Sequence, residues 1–141
     1  MTKYMFVLLV LAIACAFSVS AVMAADLEKY DFDGKFSMEM DKGLNFEKQE
    51  LDNNSVLFMD ASNATGVMYI EDSQINDDFA QQFYKEYEKQ GNELVGTDGN
   101  VTIFQKDGMY VAATHKDGII VLSIGQDKDK AVNSIKTLKF S

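Results

Sequence analysis

The chain has 141 residues, 47% of them hydrophobic, and its 22 acidic against 13 basic residues give a formal net charge of −9. Every basic residue is lysine; without arginine, and with this excess of carboxylates, the chain lacks the means to neutralise phosphates or read bases, so nucleic acid is not an expected partner. The apolar content is enough for one core, and the acidic field favours solubility outside a cell and cationic or basic partners.

The first segment, MTKYMFVLLVLAIACAFSVSAVMAAD, carries one lysine, an apolar run from Tyr4 to Phe17, then small residues ending in Val-Met-Ala. That is the layout of a secretory signal, with Val22 and Ala24 as the residues a signal peptidase reads and cleavage between Ala24 and Ala25. Residues 1–24 are therefore expected to be a signal peptide and residues 25–141 a single domain. Two alternatives stay open. Tyr4 to Ala24 is long enough to span a bilayer if retained as an anchor, with Lys3 inside and Asp26 and Glu28 outside. Ala-Ile-Ala-Cys at 12–15 is a degenerate lipoprotein signal that would acylate Cys15. In each case the domain is expected to be secreted or at the cell surface, and to meet a membrane only through the N-terminal segment if that is uncleaved. Cys15 is the only cysteine. Past the leader there can be no disulfide, thiol nucleophile or thiolate metal site, and the domain must be held by its core.

After a short acidic lead, Phe36, Met38 and Met40 alternate with Ser37, Glu39 and Asp41, the period of a half-buried strand, and Leu44 and Phe46 read as its continuation beyond a bend at Lys42-Gly43. The polar stretch EKQELDNN separates it from SVLFMD (55–60) and GVMYIED (66–72), which read as a hairpin around the loop ASNATG. The period then changes. From Asn76 to Gly91, Phe79, Ala80, Phe83, Tyr84 and Tyr87 lie at helical spacing, with Asn76 as N-cap, Asp77 and Asp78 at the positive end of the helix dipole and Gly91 as the terminator. The aromatic stripe, with Tyr69, could line a ligand groove or, more simply, form core.

From Asn92 to Gln126 short β segments follow one another, ELVG, VTIFQK, MYVAATHK and IIVLSIGQ, joined at Asp-Gly pairs that tolerate the positive φ of tight hairpin turns. With Asp117 and Gly118 at a turn, Lys116 faces Ile119, His115 faces Ile120, Ala113 faces Leu122 and Val111 faces Ile124. Around Asp107 and Gly108 the same register pairs Phe104 with Val111 and Thr102 with Ala113. The other side of these strands carries Val101, Ile103, Tyr110, Ala112, Ile119 and Val121, so both faces of the sheet need cover. A closing helix spans Lys128 to Lys136, capped by Asp127, with Ala131, Val132, Ile135 and Leu138 on one face and Phe140 docking the tail. The expected fold is α+β: an antiparallel sheet of about six strands, ending in a meander with Asp-Gly turns and flanked by two helices.

The Asp-Gly pairs are read as turns rather than a metal site, since the spacing from Asp98 to Asp107 to Asp117 is not constant and each has one glycine, unlike the calcium β-roll repeat. Asp127 and Asp129 begin like an EF-hand loop, but Val132 and Leu138 stand where its glycine and glutamate belong. His115, the one histidine, has no identifiable partner for acid–base work, and no GxSxG motif is present. Met38, Met40 and His115 form a soft donor set of the kind that holds Cu(I), although methionine is also a common core filler. Asn53, Asn63 and Asn100 each begin an Asn-x-Ser/Thr sequon and are candidate glycosylation sites. No cofactor motif appears.

The order strand, hairpin, helix, meander, closing helix, with FSMEMDKGLNF near the start and NSIKTLKF at the end, resembles the PsbP-like fold family over residues 35–140. The resemblance implies a central antiparallel sheet flanked by helices, in proteins of which the best known are photosystem accessory subunits and others are exported proteins without an assigned role; it implies no functional residue. The family's usual proline before the first glycine is replaced here by Asp41-Lys42-Gly43. The functional expectation is an exported, non-enzymatic binding or accessory domain at or outside the cell surface, meeting a protein or small ligand of the cell envelope. The alternatives are a copper-binding protein using Met38, Met40 and His115, and a hydrolase without a readable motif.

Overall fold

A computed structural model describes residues 26–52 and 54–141. The expected signal segment with its Ala24–Ala25 junction, Cys15 and the Asn53 sequon lie outside these residues. In chain order the elements are β1 (Leu27–Phe32), β2 (Phe36–Asp41), β3 (Glu47–Asp52), β4 (Ser55–Asp60), a 3-10 turn (Ala61–Asn63), β5 (Thr65–Glu71), α1 (Asp77–Lys89), β6 (Glu93–Asp98), β7 (Val101–Lys106), β8 (Met109–Lys116), β9 (Ile119–Gly125), α2 (Lys128–Lys136) and β10 (Lys139–Phe140). They build an antiparallel seven-stranded sheet, β3-β4-β5-β9-β8-β7-β6, and a three-stranded sheet, β1-β2-β10. The class is α+β, with more strands than the sequence pattern reveals.

The meander has the expected register. Lys116 pairs with Ile119, His115 with Ile120, Ala113 with Leu122 and Val111 with Ile124, and across β7 Phe104 pairs with Val111 and Thr102 with Ala113. Because side chains alternate along a strand, this register sorts the apolar residues into two cores. One holds Leu57, Met68, Ile70, Phe104, Val111, Ala113, Ile120, Leu122 and Ile124 under Ala80, Phe83, Tyr84 and Tyr87 of α1. The other holds Val67, Tyr69, Val101, Ile103, Ala112, Ile119 and Val121 under Ala131, Val132 and Ile135 of α2 and Phe32, Phe36, Met38 and Met40 of the small sheet. The expected helix on each face is present, and a second sheet shares one face with its helix.

The caps explain the helix limits. Asn76 is extended and its side chain accepts the Phe79 N–H at the start of α1, and Asp127 does the same for Lys130 at the start of α2, satisfying N–H groups that no helical carbonyl reaches. At the end of α1, Gly91 takes φ 99°, a value a side chain resists.

Three segments depart from the sequence expectation. The acidic lead is strand β1, paired along its length with β2. The polar stretch EKQELDNN supplies β3, which pairs only with β4 at the edge of the large sheet. A strand held by main-chain bonds with most of its side chains in water shows no apolar alternation, and its charges guard the edge against further pairing. Leu44 and Phe46 do not continue β2, which ends at Asp41. They lie on the crossing between the sheets, and Phe46 packs edge-on against Tyr30 and Phe32.

The Asp-Gly joins are turns, of differing geometry. Asp107 and Gly108 both have positive φ, 52° and 82°, whereas at the next join only Gly118 does, at 91°. A tertiary contact accounts for the difference: the Gly118 N–H donates to Ile75 C=O at 2.9 Å and the Gly118 C=O accepts the Asp72 N–H at 3.1 Å. The β8–β9 turn is thus tied to the loop that leads into α1. At the third join the turn residues are Gly99 and Asn100, because Asp98 itself pairs with Val101.

Candidate ligand-binding cleft

The small sheet and α2 lie side by side on one face of the large sheet, and a cleft of about 510 Å³ opens along their seam. Its walls come from β2 (Glu39, Met40, Asp41), the end of β9 (Ser123 to Gly125) and the inner side of α2 (Lys130, Ala131, Ser134), with Leu27, Leu44, Asn63 and Thr65 at the rim. The size is that of a small-molecule site, commonly 300–1,000 Å³.

Polar contacts fix α2 against β2 and β9 at three places. The Glu39 N–H donates to Thr137 Oγ1 at 2.8 Å, and that hydroxyl in turn donates to Ser134 C=O at 2.7 Å. Lys130 Nζ reaches Asp41 Oδ2 at 2.8 Å. Below them, the buried hydroxyls of Ser123 and Ser134 are 2.7 Å apart, and Ser134 donates onward to Ala131 C=O, so Ser123 supplies the proton between the two. Paired hydroxyls in an otherwise apolar floor satisfy each other and join α2 to β9.

The rim is organised by Asp60, a carboxylate 4% exposed. It accepts the Asn45 N–H at 2.8 Å, the Asn63 side-chain amide at 2.8 Å and the Ser62 hydroxyl at 2.7 Å, holding the Leu44–Asn45 crossing to the 3-10 turn. Burial by itself would raise its pKa, but the bonds from Asn45, Asn63 and Ser62 outweigh it and hold the carboxyl below the ordinary range. A second fastening joins the small sheet to the large one: Tyr69 Oη donates to Asp33 Oδ2 at 2.6 Å, and Lys48 Nζ reaches Asp33 Oδ1 at 3.0 Å. Burial and then the Asp33 charge push the Tyr69 phenol well above its ordinary pKa.

No family model and no curated protein matches the chain. A crystal structure from Bacteroides thetaiotaomicron VPI-5482 is similar to it at 18% identity over 81% of this chain, with a TM-score of 0.48. The match takes in 48% of that chain, so this protein spans about half the length of that neighbour.

The residues singled out from the sequence are dispersed. Met38 and Met40 are buried in the core beneath the small sheet. His115 pairs with Ile120 and lies beside Tyr84, on the opposite face of the large sheet. The soft Met-Met-His set is therefore not assembled, and among the described residues no three His, Cys, Asp or Glu side chains come together for a metal ion. The aromatic stripe is divided likewise: Phe83, Tyr84 and Tyr87 pack into the α1 core, with Tyr69 in the other. Of the sequons, Asn63 spends its side-chain amide on Asp60, while Asn100 is exposed at a turn.

His115 does have partners, contrary to the sequence reading. Its Nε2 lies 2.6 Å from Asp77 Oδ1, and its Nδ1 lies 3.2 Å from Tyr84 Oη. Asp77 enters through the cap of α1, and the Gly118 tie brings the end of β8 beneath that helix. With Nε2–H donating to the carboxylate, Nδ1 accepts the Tyr84 hydroxyl, whose pKa burial raises. Both ring nitrogens are hydrogen-bonded within the fold. The arrangement joins helix to sheet. The signal missing from the sequence was distance, since Asp77 and His115 are 38 positions apart.

Proposed function

We propose that this protein is an exported, non-enzymatic binding or accessory domain that holds a small ligand in the cleft between β2, β9 and α2. The single observation that carries this reading is a cleft of about 510 Å³ in which the apolar side chains of Leu27, Met40, Leu44 and Ala131 lie among polar groups and side chains of both charges. A concave site of this size, with polar groups converging beside apolar surface, is where small ligands are commonly held. Export is supported by the leader, and membership of the PsbP-like family is part of the same proposal, an antiparallel sheet flanked by helices being the arrangement that resemblance implies.

The test is an NMR fragment screen on the full chain, repeated with Asn133→Trp, which places a bulky ring at the cleft from an exposed helical position. Binders should shift Met40, Ile124 and Ala131 and lose their effect in the variant. Turnover of generic ester, glycoside or peptide substrates that vanished with His115→Ala would overturn the non-enzymatic reading.

A further inference from the structure

We propose that the cleft takes a small organic cation, an ammonium carried on an apolar chain, with Asp41 as its receiving carboxylate and Lys130 as the intramolecular cation it displaces. This rests on the cleft being the binding site and adds the class of ligand.

The ionisable lining residues are Glu39, Asp41, Asp127 and Lys130. The one lysine is committed to Asp41 at 2.8 Å. Asp127 caps α2 by accepting the Lys130 N–H at 3.2 Å, a bond that leaves its charge in place. Among the described residues Glu39 makes no ion pair, so the lining stays negative after its lysine is counted. Residues adjacent in sequence, Asp26, Glu28 and Asp129 against Lys42, Lys128 and Lys136, carry opposite signs in equal number and do not change that balance. An anion entering the cleft meets like charge, and a cation meets attraction.

The two partners of the bridge differ in a way that favours exchange. The Asp41 side chain is 12% exposed and that of Lys130 is 49% exposed. Asp41 is fixed from both sides, its backbone pairing with Leu27 and its carbonyl accepting the Tyr30 hydroxyl at 2.8 Å. A withdrawn carboxylate on a rigid hairpin requires a positive partner. A lysine half in water is a flexible point charge whose surface pairing is worth little, and it can swing into solvent at small cost. An incoming ammonium replaces it at the same oxygen. The chain behind that ammonium finds apolar surface at Met40, Leu44 and Ala131, and Leu27, a 56% exposed leucine at the rim, gains cover when the cleft fills.

The experiment titrates the full chain with three probes of equal length, hexylamine, hexan-1-ol and hexanoate, followed by NMR at Met40, Ile124 and Ala131. Hexylamine should bind at least about tenfold more tightly than the other two, the equivalent of ~1.4 kcal/mol. Lys130→Met, which leaves Asp41 without its tethered cation, should tighten hexylamine binding about threefold, and Asp41→Asn should weaken it by at least about tenfold. Unchanged signals from His115 and Tyr84 verify the fold of each variant. Equal or tighter binding of hexan-1-ol or hexanoate in the cleft would overturn the cation assignment while leaving the cleft as the binding site. Hexylamine that binds Lys130→Met no better than the unsubstituted chain would overturn the displacement.

Discussion

The two faces of the seven-stranded sheet are covered differently. On one, α1 alone supplies Phe83, Tyr84 and Tyr87 to a continuous core, and His115 fastens the sheet to the helix N-terminus. On the other, α2 shares the work with a three-stranded sheet, and their seam holds the cleft. A single amphipathic helix closes onto a sheet along one stripe, whereas two covers of different shape meet imperfectly and need polar ties, here Thr137 to Glu39 and Lys130 to Asp41. The join that burial alone does not seal is where a ligand can enter.

The comparison can be broken most forcefully through Phe36, which is 0% exposed and packs against Phe32, Tyr69 and Phe140. Phe36→Ala should lower stability by about 3–5 kcal/mol, measured by urea unfolding, and should broaden NMR signals of the small sheet and cleft before those of the α1 core. Loss of both faces in one step at low denaturant would show that they do not respond separately.

A middle effect is expected at His115. His115→Phe leaves the buried Tyr84 hydroxyl without its Nδ1 partner, at a cost of about 1–3 kcal/mol. Adding Tyr84→Phe should recover part of that loss, as a double-mutant cycle in chemical denaturation would read, while cleft binding stays unchanged. Full additivity of the two changes would contradict the contact.

The smallest effect depends on pH. Because the folded fold of bonds around Asp60 holds its carboxyl below the ordinary range, the stability it contributes is fully present above the unfolded carboxylate pKa and is lost as pH falls through the folded value. Asp60→Asn should therefore cost about 1–2 kcal/mol at neutral pH, and the gap from the unsubstituted chain should shrink on acidification through that window. A gap that is constant or grows on acidification would reverse the assignment.

The parts of the fold that sequence reveals are those with local causes. Asp-Gly pairs at two-residue turns fix the register of β7, β8 and β9, and Asn76 and Asp127 mark the starts of both helices. Strand β3 is hidden because an exposed edge needs no apolar alternation. The cleft is hidden because it is assembled from positions spread between Leu27 and Thr137, each with an ordinary local role as strand residue, cap or helix face. Asp77 shows the same limit: its place in the first turn of α1 explains it without reference to His115.

The most direct measurement is the fragment titration of the full chain beside its Asn133→Trp variant. Shifts should concentrate at Met40 and Ala131 and disappear when the tryptophan covers the cleft. Shifts centred instead on His115 and Tyr84, and unaffected by Asn133→Trp, would contradict the cleft as the binding site.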